Sequence, residues 1–251
     1  MAQASIIQTP CWFDILNWDS DFFGYRVVRL KPGVTVENIT AVQTELKEYK
    51  VRLVYWSAAP EDSTLQTLIT KLGGTLVDKK TTFVKTLTVA LAKPNSRVTV
   101  TSFTATELTP ELRALAIQAG LFSRFQVDQN IGYAKFAELY CLWMEKSVLH
   151  QLAEDVLVVC DETKSPQPVI GVTTVGQKNG IGDIGLVTVD EKYRGLGIAS
   201  ALMQAADQWF LQHNYQTVQV VTQGDNVAAC RLYAKTGYTI EKVEWLYHCW
   251  L

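Results

Sequence analysis

The chain reads as an α/β fold of the α+β kind, built on a mixed central sheet. Three observations predict it. Strand-like and helix-like segments alternate through most of the sequence. Three strand-like runs between Val156 and Val189 follow one another, with a turn at Asn179-Gly180, as in an antiparallel meander. The last of them leads through a glycine-rich turn into an amphipathic helix at Ile198.

Composition bounds what the fold can do. With 251 residues, 48% apolar and 19% charged, the chain can bury a sizeable core as one large domain or two small ones. The formal charge of −2, with no Lys/Arg stripe, argues against a nucleic-acid partner. No apolar run is long enough to cross a bilayer and the N-terminal residues lack a secretory pattern, so the expected location is the cytosol, with no membrane partner. The five cysteines are scattered, without C-x-x-C or zinc-type spacing, and read as reduced structural residues; no metal is expected.

The elements follow in order. A polar, proline-containing stretch at Ala92–Ser96 divides a first part, residues 1–95, from a second, residues 96–251. In the first part Asp14–Gly24 is too rich in aromatics beside acids to be a plain helix or strand and reads as a packed segment. A helix over 36–49, a strand over 51–57, a helix over 63–72, the turn Gly73-Gly74 and a strand over 75–87 come next. The second part opens with a strand near 98–103 and a helix capped by Thr109 with Pro110 in its first turn. An amphipathic helix over 134–149, strands over 156–160, 169–175 and 181–189, a helix from Ile198 to Phe210 and a strand over 217–222 continue it. Asn226 caps a helix that ends before Gly237, and residues 238–251 form the closing strands. Strand, helix, Gly turn and strand occur both in 51–87 and in 217–251, but the first copy has no phosphate-cradling glycines before it.

Two motifs carry chemistry. Arg194-Gly-Leu-Gly-Ile-Ala199 joins a strand to a helix; Gly195 and Gly197 let the backbone approach a ligand, and the free N–H groups of a helix N-terminus suit a pyrophosphate. Neither a Walker lysine nor a dinucleotide glycine set is present. About thirty residues later comes Asn226-x-x-Ala229-x-x-x-Tyr233-x-x-x-Gly237-Tyr238, a strand-to-helix element.

In this order and spacing the two motifs resemble the GNAT superfamily of N-acetyltransferases. The resemblance implies the acyl-CoA N-acyltransferase fold, a central sheet splayed at the cofactor site, with the first part a smaller, degenerate GNAT-like α/β unit. It implies acetyl-CoA as cofactor, held by Val187, Thr188 and Val189 along the pantetheine arm, by Arg194, Gly195, Leu196, Gly197, Ile198 and Ala199 at the pyrophosphate, and by Asn226, Ala229 and Tyr233 on the opposite wall. A neutral amine would attack the thioester directly, with a backbone N–H near Thr188 facing the developing oxyanion. Tyr233, a phenol protonated at neutral pH, is the candidate acid for the departing thiolate. No base stands out among Asp190, Glu191 and Glu241, and His150, His213 and His248 take no role.

A narrower resemblance, to the dTDP-fucosamine acetyltransferase family, rests on Leu16–Gly24, Ser123-Arg124-Phe125, Leu139–Ser147 and the Trp245 terminus. It implies a nucleotide-linked amino sugar as acceptor, for surface polysaccharide synthesis, with Ser123, Arg124, Phe125 and Thr173 as candidate acceptor contacts. A protein, amino acid, polyamine or aminoglycoside amine is the alternative acceptor, and a non-catalytic acyl-CoA sensor the alternative class. Aromatic or edge-strand surface near Trp245–Trp250 could support a homodimer.

Overall fold

The computed structural model describes residues 11–88 and 98–251. The expected boundary at Ala92–Ser96 lies outside the described residues. Two compact units emerge: Met1–Val77 with Glu244–Leu251, and Asp78–Val243. The chain passes from the first to the second within strand β4 (Thr75–Thr86) and returns within β10 (Thr239–Trp250).

The first unit holds β1 (Phe13–Ile15), α1 (Asn17–Phe23), β2 (Val27–Leu30), α2 (Ile39–Glu48), β3 (Leu53–Ala58) and α3 (Ser63–Lys71). β1 pairs antiparallel with β2, β2 parallel with β3, and β3 antiparallel with Trp245–Trp250 of β10. Phe13, Val28, Val42, Val54, Ile69 and Tyr247 are fully or almost fully buried in its core.

Asp14–Gly24 differs from expectation, being strand and then helix. The Ser20 hydroxyl donates to the Leu16 carbonyl at 2.7 Å and accepts the Val27 N–H at 2.9 Å, closing the helix start onto the following strand. Trp18 and Phe22, one turn apart, stack with centroids 5.3 Å apart, while Phe23 is buried. The aromatics therefore serve helix packing. Trp245–Trp250 is not an exposed edge: each of its residues is buried or half-buried and registered against β3.

The second unit contains the rest of β4, β5 (Thr101–Ser102), α4 (Pro110–Ala119), α5 (Arg124–Val127), α6 (Tyr133–Val148), β6 (Asp155–Cys160), β7 (Val169–Lys178), β8 (Ile181–Val189), α7 (Ile198–Gln212), β9 (Thr217–Gln223) and α8 (Val227–Lys235). Its strands lie in the order β5-β6-β7-β8-β9-β4, antiparallel except for the parallel pair β8 and β9. The β7–β8 hairpin turns on Asn179 and Gly180, both at positive φ, as the twist of a two-residue hairpin loop requires. The Thr109 hydroxyl caps α4 by accepting the Leu112 N–H.

Phe83, Ile184, Met203, Phe210, Val218 and Val220 form the core shared by the sheet and α7. The expected strand near 98–103 shrinks to two residues, and the closing strands are one twelve-residue strand, β10. All five cysteines are free thiols. His248 is buried and stacked on Tyr55, His213 stacks on Trp209, and His150 is exposed. Among the described residues no helix is long and apolar enough to cross a membrane, and no group of three His, Cys, Asp or Glu is placed to hold a metal ion.

Candidate active site

The site begins with a gap in the sheet. β8 pairs with β9 only from Gly182 to Ile184, against Val218 to Val220, although both strands run on. The cause lies one strand away. β7 and β8 change register between Thr173–Val187 and Val175–Ile184, so Gly185 and Leu186 oppose the single residue Thr174. The Leu186 N–H donates to the Thr174 hydroxyl at 2.9 Å, filling the bulge with a side-chain partner. A bulge bends its strand and sharpens the twist, and from this point β8 leaves β9. Among the described residues, no β9 residue pairs with Val187–Val189.

The glycine-rich turn follows directly. Gly195 and Gly197 sit at φ +81° and +82°, and a Cβ on either would meet nothing within 4 Å. The space above them is open, so the glycines serve backbone conformation rather than packing. α7 starts at Ile198 with no side-chain cap and no acidic residue in its first turn. Its leading N–H groups and positive dipole end are left for an anion. At Gly171 a Cβ would come within 2.8 Å of Ile198, so this helix start lies close against β7.

Side chains anchor the turn. Arg194 donates to the Val189 carbonyl at 3.3 Å and to Gln118 at 3.1 Å. Tyr193 donates to Asp161 at 2.7 Å and accepts from Lys164 at 2.5 Å. Hydrogen bonds from Thr163, then from Tyr193, hold the Asp161 carboxyl well below the ordinary carboxylate range, so it accepts from both at neutral pH.

The opposite wall is α8. Asn226 caps it, its side-chain oxygen accepting the Ala229 N–H at 3.2 Å. Two turns on, Tyr233 is 4% exposed, edge-on to Phe83 at 5.5 Å and 6.4 Å from Tyr238. Burial, with Cys230 adding to it, raises its phenol far above the ordinary value of 10.0, so it is fully protonated at neutral pH. Tyr238 is differently engaged, donating to the buried Asp207 at 2.7 Å. Lys85 completes that group, contacting Asp207 at 2.5 Å and the Thr236 carbonyl at 2.8 Å, which ties the end of α8 to β4 and α7.

One cleft of about 490 Å³ connects these parts. Val187, Thr188, Val189, Arg194, Gly195, Gly197, Ile198, Ala199, Asn226, Ala229 and Tyr233 all line it. Leu196 does not; its side chain is 64% exposed. Sequence reasoning missed Gln118, Leu121 and Phe122, which line the cleft from the end of α4 onward. No motif marks them, since only tertiary packing brings that helix to the turn.

The four expected acceptor contacts lie outside the lining of this cleft. Phe125 is buried against Trp143 at 5.9 Å, and Arg124 lies over the Phe125 ring at 4.6 Å. Ser123 and Thr173 are buried, and among the described residues the Thr173 hydroxyl has no hydrogen-bond partner. Asp190 and Glu191 sit in the short 3-10 turn before Arg194, with Asp190 capping it, and Glu241 is exposed. The carboxylate that stands apart is Asp78, which sequence reasoning did not single out. Burial pushes its pKa up to about 7, against the opposing pull of Arg124 and Lys80. The lone acidic residue in a Thr/Lys-rich strand was its only signal.

An uncapped helix N-terminus, a gap in a sheet and a buried phenol in one cleft suit a long ligand with an anionic middle and a reactive end.

Comparison with known proteins agrees. Residues 121–238 match the acetyltransferase (GNAT) family. A streptothricin acetyltransferase of Escherichia coli is 35% identical over 66 residues, 26% of this chain and 38% of that protein, so the chain spans well under half of that relative. A dTDP-fucosamine acetyltransferase of Escherichia coli O6:H1 is 27% identical over 236 residues, 92% of this chain and 96% of that protein. A solved GCN5-related N-acetyltransferase from Sphaerobacter thermophilus shares the fold, with a TM-score of 0.55 at 18% identity, over 94% of this chain and 75% of that one. The span matched to the acetyltransferase (GNAT) family, residues 121–238, takes in both motifs that line the cleft.

Proposed function

We propose that this chain moves the acetyl group of acetyl-CoA to a primary amine, and that the amine is the amino group of dTDP-fucosamine. The observation that carries the reaction is the continuity of the cleft, which runs from the open N-terminus of α7 through the gap between β8 and β9 to the Tyr233 phenol.

Acetyl-CoA, when bound, supplies a thioester open to attack by an unprotonated amine. The N–H groups of Gly195–Ala199 receive its pyrophosphate, as a helix N-terminus does for anions. The edge of Val187–Val189, beyond the β9 pairing, orients the pantetheine arm and turns a backbone N–H toward the thioester oxygen, as an oxyanion donor. Tyr233 gives its phenolic proton to the sulfur as the thiolate leaves. The surrounding wall of Phe83 and Tyr238 keeps that phenol out of bulk water until then.

Similarity along nearly the whole chain supports the acceptor, because it takes in the first unit as well as the cleft. The shorter but closer match to a streptothricin acetyltransferase supports a second reading, an antibiotic amine. Acetyl-CoA use and synthesis of an activated sugar fit the cytoplasm; a homodimer is a further proposal. Free-thiol release from acetyl-CoA with dTDP-fucosamine, streptothricin and spermidine decides the acceptor. Release confined to the sugar nucleotide is expected; release confined to another amine overturns the assignment, and cofactor binding without release to any of them makes the chain a sensor.

A further inference from the structure

We infer that Asp78 is the group that receives the ammonium of the acceptor and takes its proton before transfer. This rests on the acetyltransferase reading above and names a residue outside both motifs.

Asp78 is 9% exposed, and its Oδ1 makes no hydrogen bond among the described residues. A carboxylate oxygen buried without a partner is costly and calls for an explanation. Its strand neighbour reaches the turn that leads to the cleft-lining Asn226. The next residue, Lys79, pairs with Asp225 at 2.9 Å, and its carbonyl accepts the Gly224 N–H at 2.7 Å. Asp78 therefore adjoins the turn that delivers Asn226 to the cleft wall.

Strand alternation fixes its side. Phe83 meets Tyr233 and Lys85 meets Asp207, so the odd-numbered positions of β4 face α7 and α8. Asp78 takes the other face, where α5 and α6 bring their own groups. Arg124, two residues beyond the cleft-lining Phe122, attracts it. The buried Tyr140 phenol, raised to about 12 chiefly by burial, is held down by Ser123 and Arg124 and pushed up by Asp78. Lys80 and Asp225 are the remaining charges acting on Asp78. A base with a pKa near neutrality is poised to exchange a proton with an amine.

In the step, an N–H bond of the ammonium breaks and its proton passes to the Asp78 carboxylate. The freed lone pair forms the C–N bond as the C–S bond breaks, and the Tyr233 proton goes to sulfur. The second proton lost from nitrogen restores the phenol through solvent, and Asp78 returns its own to water. One proton is released overall.

The test uses the full chain with dTDP-fucosamine and the hydroxyl counterpart of that sugar nucleotide. Calorimetric binding at about pH 8 and a kcat profile over pH are measured for the native chain, Asp78→Asn and Asp78→Glu. Expected are at least a ~10-fold binding preference for the amine, abolished in Asp78→Asn and partly restored in Asp78→Glu, and a ~100-fold fall in kcat for Asp78→Asn with acetyl-CoA affinity unchanged. The acidic limb near pH 7 should vanish from that variant. Retention of the preference and of kcat in Asp78→Asn overturns the proposal, as does loss of acetyl-CoA binding, which would mark a structural role. If only another amine reacts, the acceptor assignment fails and the same comparison on that amine decides Asp78. No binding or turnover with any amine overturns both.

Discussion

The Thr174 hydroxyl occupies the space that a side chain on Gly185 would need. It accepts the Leu186 N–H at 2.9 Å, and a Cβ on Gly185 would lie 2.6 Å from it. This pair sets where β8 departs from β9, and so where the cleft opens. Gly185→Ala forces the bulge to rearrange. The expected result is at least a ~10-fold loss of kcat/KM for acetyl-CoA, about 1.4 kcal/mol, with a smaller change in thermal stability. Thr174→Ala should remove the clash in the double variant but strand the Leu186 N–H, at about 1–3 kcal/mol of stability. Steady-state kinetics and calorimetric melting on the four proteins check both.

Gly197 ends the glycine-rich turn at φ +82° with open space about it. Gly197→Ala adds no clash but strains the backbone by about 1–2 kcal/mol. The expected outcome is a weaker acetyl-CoA affinity with little change in kcat once the cofactor saturates, read by titration calorimetry and initial rates.

Asp78 makes stability depend on pH. Its pKa is about 7 in the folded chain against an ordinary 3.8. Between those values the folded state keeps a proton that the unfolded state has lost, so stability falls as pH rises, by at most about 1.4 kcal/mol per pH unit. Below about pH 4 and above about pH 7 this contribution is flat. Asp78→Asn should lack the slope and melt higher than the native chain at about pH 8, in scanning calorimetry across that range.

Lys85 compensates the carboxylate of Asp207, whose side chain is 4% exposed. Lys85→Met leaves that charge buried with only the Tyr238 hydroxyl, and should cost about 3–5 kcal/mol. Adding Asp207→Asn should recover most of it, a coupling that denaturant melts of the double-variant cycle would measure.

Regular, locally determined features were legible in the sequence. The helices at Pro110, Ile198 and Val227 announce themselves by Thr109, Gly197 and Asn226 at their starts and by apolar spacing, and each begins where expected. The strand-end, turn and α8 walls of the cleft were legible for the same reason, whereas Gln118, Leu121 and Phe122 fall in neither motif. Asp14–Gly24 was not, since its short helix depends on Ser20 bonding forward to Val27. The bulge at Gly185 was not recognised either, although a glycine within I-G-D-I-G-L-V-T-V was its signal. Asp78 and Arg124 lie 46 positions apart in sequence and influence one another only in the folded chain, which no local pattern records.

The central claim is that the cleft passes an acetyl group from acetyl-CoA to an amine with Tyr233 as the acid. The most direct test is thiol release with dTDP-fucosamine by the native chain and Tyr233→Phe, with product mass read in parallel. A mass gain of one acetyl group, and a ~100-fold or greater fall in kcat for Tyr233→Phe at unchanged acetyl-CoA affinity, is the predicted result. Equal rates from the two proteins, or thiol release without an acetylated amine, would contradict it.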